Sequence, residues 1–493
     1  MIVEQELLVL FFAKTLVFAA LIIAFRLVFQ RSRIALLALT IAVLLWIRGG
    51  QVTQTAGVGD WVMAIIYAGL IALAVTAIIY FFLRYEERFK LLVTVFASTV
   101  VLIQLPTFFS VFDLHEVDYP AAFEDSDWRV RQPQAPPNII YIIPDRYASN
   151  EALNGLYETS NLAFTEALEQ RGFHVWDDQV SNYPKTFMSL ASTLNSAHLG
   201  PIAEQIPAKD RRYEYIYRML RDHSVAETLT SFGYEYTHIG SWWDPTKKNQ
   251  HADRNFYNTG PLNNRLTGVY LKHTPLWSNI GAEWGMVDDC AKTPAKLDFV
   301  KRQIASDRPQ FILWHTLITH EPYMTQADGT CELAHDNPSF TSNYAELDQA
   351  YIDQVSYFNQ FALDLFDHSR ERSKREIIFV IQSDEGPLPK LYREANHNRA
   401  EPYNFLTAPD REMYRKHAIF NAIYLPSRDY SELDTLQTPI NNFRIIFREV
   451  FDIEIPFLED KVYSFAYEDD PYALEEITDR LLNREETRIA SSD

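Results

Sequence analysis

Hydrophobic positions follow two different rules along the chain. Between residues 7 and 112 they run almost unbroken in four stretches, at about 7–29, 34–47, 61–83 and 91–112. Three of these are long enough to cross a bilayer. The second, IALLALTIAVLLWI, reaches across only with Arg33, Arg48 and the neighbouring glycines at the interfaces. A cleaved signal peptide does not suit the first stretch, because Glu4 and Glu6 stand where positive charges belong and further apolar spans follow. From residue 138 onward, apolar runs of strand length alternate with amphipathic segments. The strands predicted are NIIYIIPD (138–145), FHVW (173–176), YEYTHIG (234–240), FILWHTLI (311–318), IIFVIQSD (377–384) and AIFNAIYLP (418–426), with helices over 160–171, 186–194 and 344–368. Strands that are apolar nearly throughout belong to a mainly parallel sheet covered by helices on both faces. The expected architecture is therefore a three-layer α/β domain preceded by an all-α transmembrane region.

Basic residues set the expected orientation. Arg26, Arg31 and Arg33 fall between the first two spans, Arg84, Arg88 and Lys90 between the last two, and Arg48 is alone in the middle loop. The two basic loops are then cytoplasmic, and everything after residue 112 lies on the outer side of the cytoplasmic membrane. Residues 113–137 mix acids with prolines and suit an extended tether. The organisation expected is a transmembrane region of about four helices (1–112), the tether (113–137), an extracytoplasmic α/β domain (138–470) and a tail (471–493). The tail reads as a charged terminal helix that frays, with no chemistry assigned to it.

Charge narrows the partners. The chain carries 65 acidic against 45 basic residues, a formal net charge of -20, and such a surface repels nucleic acid. The two cysteines, Cys290 and Cys331, show no metal or redox spacing. They are either unpaired core thiols or one disulfide, and an outer-side location favours the disulfide.

Chemistry gathers at the strand ends, where ligands of parallel sheets bind. The first strand delivers Asp145, the run IIFVIQSD delivers Asp384 with Glu385 beside it, and FILWHTLI leads to His320 in the stretch THEPY. Taken singly, each carboxylate is equally a turn or helix-cap residue. Together they repel one another unless a cation or hydrogen bonds compensate. Thr186, at the start of a helix, is either an N-cap or a hydroxyl nucleophile activated by a divalent ion. Ser189, Ser192 and Thr193 read as helix-packing residues. Arg146 either neutralises a phosphate oxygen or pairs with a structural acid. His397, in ANHN, either reaches a leaving group or sits in an exposed loop, and His315 reads as core.

In this order the residues resemble the alkaline phosphatase and sulfatase superfamily, specifically its membrane-anchored sulfatase-like hydrolase/transferase branch, which includes lipoteichoic acid synthases and phosphoethanolamine transferases. The resemblance runs from about Asn138 to Pro426, with SNYPKTFMSLASTLN and IFNAIYLP especially similar to sulfatase-like members. It implies an alkaline-phosphatase/sulfatase-like fold in which Asp145 is a metal ligand, Thr186 is the covalent nucleophile and a ligand, and His320 contacts the substrate phosphate. Asp384 and Glu385 would complete the metal site, and Trp243, in SWWDP, would line the acceptor pocket. Glu385 departs from the family pattern, which has His or Asn there. The resulting oxygen-rich set favours one magnesium, manganese or calcium ion over zinc. The chain lacks a CxPSR-like signature, which argues against sulfate esters and for phosphorus. The function implied is transfer of a phospholipid-derived headgroup through a phospho-threonine, with a membrane lipid or lipid-linked substrate as partner. A water-using phosphodiesterase or phosphatase, and a non-catalytic envelope binding protein, are the alternatives.

Overall fold

The computed structural model describes residues 115–119, 135–207, 210–256, 287–331, 344–398, 402–426, 430 and 433–482. The four expected spans lie outside the described residues. Among the described residues no helix is long and apolar enough to cross a membrane.

Leaving aside helices shorter than eight residues, the chain runs β1 (Asn138–Pro144), α1 (Asn150–Tyr157), α2 (Leu162–Glu169), β2 (His174–Val180), α3 (Thr186–Asn195), α4 (Glu214–Arg221) and α5 (Ser224–Ser231). It continues through β3 (Glu235–Ile239), β4 (Arg254–Phe256), α6 (Val287–Ile304), β5 (Gln310–Thr316), α7 (Tyr344–Arg372), β6 (Ile377–Gln382), α8 (Lys390–Asn398), α9 (Asp410–His417), β7 (Ala418–Tyr424) and α10 (Asn442–Phe451). Seven strands form one sheet in the order β2-β7-β6-β1-β5-β3-β4. β1 pairs in parallel with β5 and β6, and β3 in parallel with β5 and β4, whereas β7 is antiparallel to both β6 and β2. The sheet is thus mainly parallel, as the unbroken apolar runs require, and β7 alone is reversed.

Both faces are covered. Every residue of β1, β5 and β6 is buried. Ile140 and Ile142 face a core shared with Ile312 and Trp314 and with Phe358, Phe361 and Phe366 of α7. The alternate face carries Tyr141, whose ring stacks on Phe443 of α10 at 4.8 Å between centroids. Each such side chain contributes about 1.5–3 kcal/mol by leaving water, which makes the central strands the rigid part of the domain. Rigid strands hold their ends in fixed positions, and the ends are where the polar residues stand.

Two segments depart from their sequence reading. Within the stretch read as a tether, residues 115–119 dock on the domain: the His115 amide donates to the Tyr215 hydroxyl at 3.0 Å, and the Asp118 amide to Gln205 Oε1 at 2.9 Å. The tail does not begin as a helix. Residues 475–476 pair with 463–464 as a short antiparallel ladder, and among the described residues of the tail 478–481 are helical, with Ile477 and Leu481 buried. The two cysteines form a disulfide, Cys290–Cys331, that ties the start of α6 to the segment after β5.

Candidate active site

Strand register brings the first two groups together. Ile143 of β1 pairs with His315 of β5, and by alternation Asp145 points to the same face two residues later. The Asp145 amide donates to the Thr316 carbonyl at 3.0 Å, which carries the ladder past the end of β1 and fixes the carboxylate. Asp145 Oδ2 then lies 3.1 Å from His315 Nε2 and 3.5 Å from the Thr186 hydroxyl. Thr186 is the first residue of α3, preceded by Lys185 in extended conformation, so its hydroxyl sits where the free N–H groups and positive dipole end of the helix favour negative charge.

Asp384 follows β6, the other neighbour of β1, and is completely buried. Its Oδ1 accepts the Arg146 amide at 3.1 Å. Arg146 itself adopts φ 64°, a left-handed conformation that costs a non-glycine residue about 1–2 kcal/mol. One ligand atom each from Asp145, His315 and Asp384 lies within 4.8 Å of the others, and all three residues are buried. Asp145 Oδ1 and Asp384 Oδ2 have no hydrogen-bond partner among the described residues. Burial, then repulsion from Asp145 and Glu385, pushes the Asp384 carboxyl up to about 7. Burial also works against ionised Asp145, but His320, His315 and Arg146 outweigh it and hold that carboxyl well below its usual range. Two buried carboxylates with an open oxygen each, beside one imidazole, fit a single divalent cation. The imidazole also removes the reason for setting zinc aside, because the set is no longer all oxygen.

Glu385, read from the sequence as a further ligand, does not join this group. Its Oε1 lies 3.0 Å from Arg146 Nε and 2.7 Å from Lys416 Nζ. The neighbouring Gly386 amide donates to the Lys416 carbonyl at 2.8 Å. A Cβ at Gly386 would meet the Arg415 carbonyl oxygen at 2.1 Å, so only glycine lets the β6 turn approach the α9–β7 junction this closely.

The site opens into a cleft of about 190 Å³ lined by Asp145, Thr186, Arg146 and Glu385 on its floor, with His320 and aromatic rings on its walls. His320, half-buried, packs edge-on against Trp242, and burial followed by the Arg146 charge pushes its imidazole down to about 3, so it is neutral at ordinary pH. Trp243 lines the cleft against Tyr217 and His315. The C-terminal stretch contributes Phe465, Glu468 and Pro471, with Glu468 paired to Lys185. Sequence reasoning missed that contribution, along with Lys185, Lys416, Trp242 and the role of His315. The one visible signal was a histidine inside an otherwise apolar strand. His397 lies in α8, and its side chain is outside the described residues.

A family model described as sulfatase matches residues 137–412. No curated protein matches the chain. Among solved structures, the C-terminal periplasmic domain of EcEptC from Escherichia coli is similar at 14% identity and a TM-score of 0.48, covering 76% of this chain and 100% of its own. The integral membrane lipooligosaccharide phosphoethanolamine transferase A from Neisseria meningitidis is similar at 14% identity and a TM-score of 0.44, covering 80% of this chain and 70% of its own. A protein in the alkaline phosphatase superfamily from Vibrio parahaemolyticus follows at 15% identity and a TM-score of 0.39, covering 68% of this chain and 71% of its own.

Proposed function

Because the chain belongs to the sulfatase family, as a sulfatase-like phosphotransferase or hydrolase, we propose that it is a metal-dependent phosphoryl-group transferase of the cell envelope. In this reading residues 1–112 anchor it in the cytoplasmic membrane with the catalytic domain on the outer side. It moves a phospholipid-derived headgroup to an envelope acceptor through a phospho-threonine at Thr186. The observation that carries the reading is the buried meeting of Asp145, Asp384 and His315, with the Thr186 hydroxyl 3.5 Å from Asp145 and both Asp145 and Thr186 lining a cleft.

Asp145, Asp384, His315 and Thr186 would hold the ion. When bound, it supplies Lewis-acid polarisation of the phosphoryl oxygen and lowers the pKa of the threonine hydroxyl. Thr186 Oγ forms a bond to phosphorus as the bond from phosphorus to the donor alcohol breaks, and the proton of the threonine hydroxyl is released to solvent, with Asp145 Oδ2, 3.5 Å away, orienting the hydroxyl. Arg146 balances charge on the phosphoryl oxygens. Neutral His320 keeps its Nδ1–H on the Glu321 carbonyl, so Nε2 is the nitrogen left to accept a hydrogen bond from a substrate hydroxyl, and the leaving alkoxide takes its proton from solvent. An acceptor hydroxyl, entering past Trp243, then takes the phosphoryl group and restores Thr186.

Purified full-length protein incubated with labelled phospholipid and manganese or zinc, without acceptor, tests this directly. Mass spectrometry is expected to find the phosphorus-containing fragment on Thr186, and Thr186→Ala to lose both adduct and turnover. An adduct released by water alone marks a hydrolase. Failure to form any adduct across divalent metals refutes the proposal.

A further inference from the structure

Glu385 occupies the position from which the family pattern would draw a metal ligand, yet its surroundings are those of an anion holding cations. It is 1% exposed, and Arg146 Nε and Lys416 Nζ both meet its Oε1. Lys416 is equally buried, at 1%. A buried ammonium and the part-buried Arg146 guanidinium meet on one carboxylate, and Arg146 Nε lies farther, at 3.7 Å, from Asp145 Oδ1, which leaves the Asp145–Asp384 pair the side of the site poorer in positive charge. The two sides are neutralised by different means.

The anchoring has a geometric result. Glu385 is met through Nε, and among the described residues no hydrogen bond joins a terminal amino group of Arg146 to it, so those two groups remain for a ligand. Arg146 lines the cleft beside Asp145 and Thr186. Its backbone is committed as well, with the amide on Asp384 and the carbonyl accepting the Tyr351 hydroxyl at 2.9 Å. A side chain fixed at both backbone groups and at Nε loses little freedom on meeting a ligand, which is the condition for a strong bidentate anion contact.

We propose that Glu385 is a positioning residue that holds Arg146 as a phosphate-oxygen clamp next to the metal-binding cluster, with Lys416 as its buried counter-charge, and that it is not a metal ligand. The inference rests on the proposed function but separates from it: that reading fails if the wild-type protein binds no divalent ion or forms no Thr186 adduct, and this one fails on the behaviour of Glu385 variants alone.

The test uses full-length protein in detergent, with manganese alone as the first probe and inorganic phosphate, added to manganese-loaded protein, as the second. For Glu385→Ala, manganese affinity is expected to stay within about threefold of wild type, whereas phosphate affinity falls about tenfold as the guanidinium is released. The sign is diagnostic. A role limited to charge predicts tighter phosphate binding once a negative group is removed, and a ligand role predicts manganese affinity reduced tenfold or more; either overturns the proposal, as does no change in both. Should Glu385→Ala not fold, Glu385→Ala/Lys416→Met removes the unpaired ammonium with its partner and is read by the same criteria. Arg146→Lys, which keeps the charge and loses the fork, is expected to reproduce the phosphate defect with manganese binding intact.

Discussion

Asp384 and Glu385 are consecutive residues at the end of one strand, both buried, and their carboxylates live in opposite electrostatic surroundings. Asp384 faces Asp145 and is held near 7 by burial and like charge. Burial likewise disfavours ionised Glu385, but Lys416 and then Arg146 overcome it and keep that carboxyl below its usual range. One residue of the pair carries a charge the folded protein does not neutralise, and the other a charge it neutralises twice. Unrelieved repulsion marks a place made for a cation, and internal pairing marks a place made to hold side chains still. Adjacency in sequence therefore says little about shared function when a strand end splits two neighbours between two walls.

The contrast is broken most severely from the Glu385 side. Glu385→Ala leaves the buried Lys416 ammonium without its carboxylate, and loss of one member of a buried pair costs about 3–5 kcal/mol. Denaturant unfolding of the metal-free protein should show that loss, and Glu385→Ala/Lys416→Met should recover part of it. The Asp384 side should respond in the other direction. Asp384→Asn removes a repelling charge, so the metal-free protein is expected to unfold at a higher temperature than wild type. The same change should weaken manganese binding about 100-fold, roughly 2.7 kcal/mol. A variant that loses stability and metal together would erase the distinction between the two carboxylates.

Acid provides a milder probe of the cation-rich side. His417 follows Lys416 and donates from Nδ1 to the Ser181 carbonyl at 3.0 Å. Burial first, with Lys416 adding to it, pushes its imidazole down to about 4. A histidine whose folded pKa lies below its unfolded value of about 6.5 contributes stability that is complete above that value and is lost as pH falls from about 6.5 toward 4. His417→Gln should flatten this part of the stability profile by an amount on the order of 3 kcal/mol. An unchanged profile would show that His417 does not feel the charge beside it.

Much of the frame of this arrangement was legible in the sequence, for a physical reason. Continuous apolar runs identify strands buried on both faces, and such strands place Asp145 and Asp384 at one edge with only two residues of travel past the ladder. Thr186 was marked by the turn that opens α3. What the sequence did not disclose depends on register and on distant packing. His315 reaches Asp145 because β1 and β5, separated by a crossover of more than a hundred residues, align Ile143 with it. The partners of Glu385 come from the residue after Asp145 and from the α9–β7 junction, and no local pattern says which cation a carboxylate will meet.

The smallest expected effect concerns the imidazole that the register supplies. His315 Nδ1 lies 2.7 Å from the Thr246 hydroxyl, which in turn lies 3.1 Å from the Ser241 hydroxyl, itself accepting the Trp243 amide at 3.2 Å. Hydroxyls donate or accept, so this chain suits either proton order. With Nε2–H bonded to Asp145, Nδ1 accepts from Thr246; with Nε2 bare for a cation, Nδ1–H donates to Thr246, whose own proton turns to Ser241. Thr246 is further fixed by its carbonyl, which accepts His238 Nε2–H at 2.8 Å. Outer partners of this kind are worth about 10–100-fold in metal affinity. Thr246→Val keeps the shape and removes the hydroxyl, and manganese binding should weaken about tenfold, the lower end of that range because Asp145 and Asp384 remain. Thr246→Ser should restore it. Equal affinities for the valine and serine variants would mean that His315 binds its neighbours without help from the far side of the ring, and the cation half of the site would then rest on its two carboxylates.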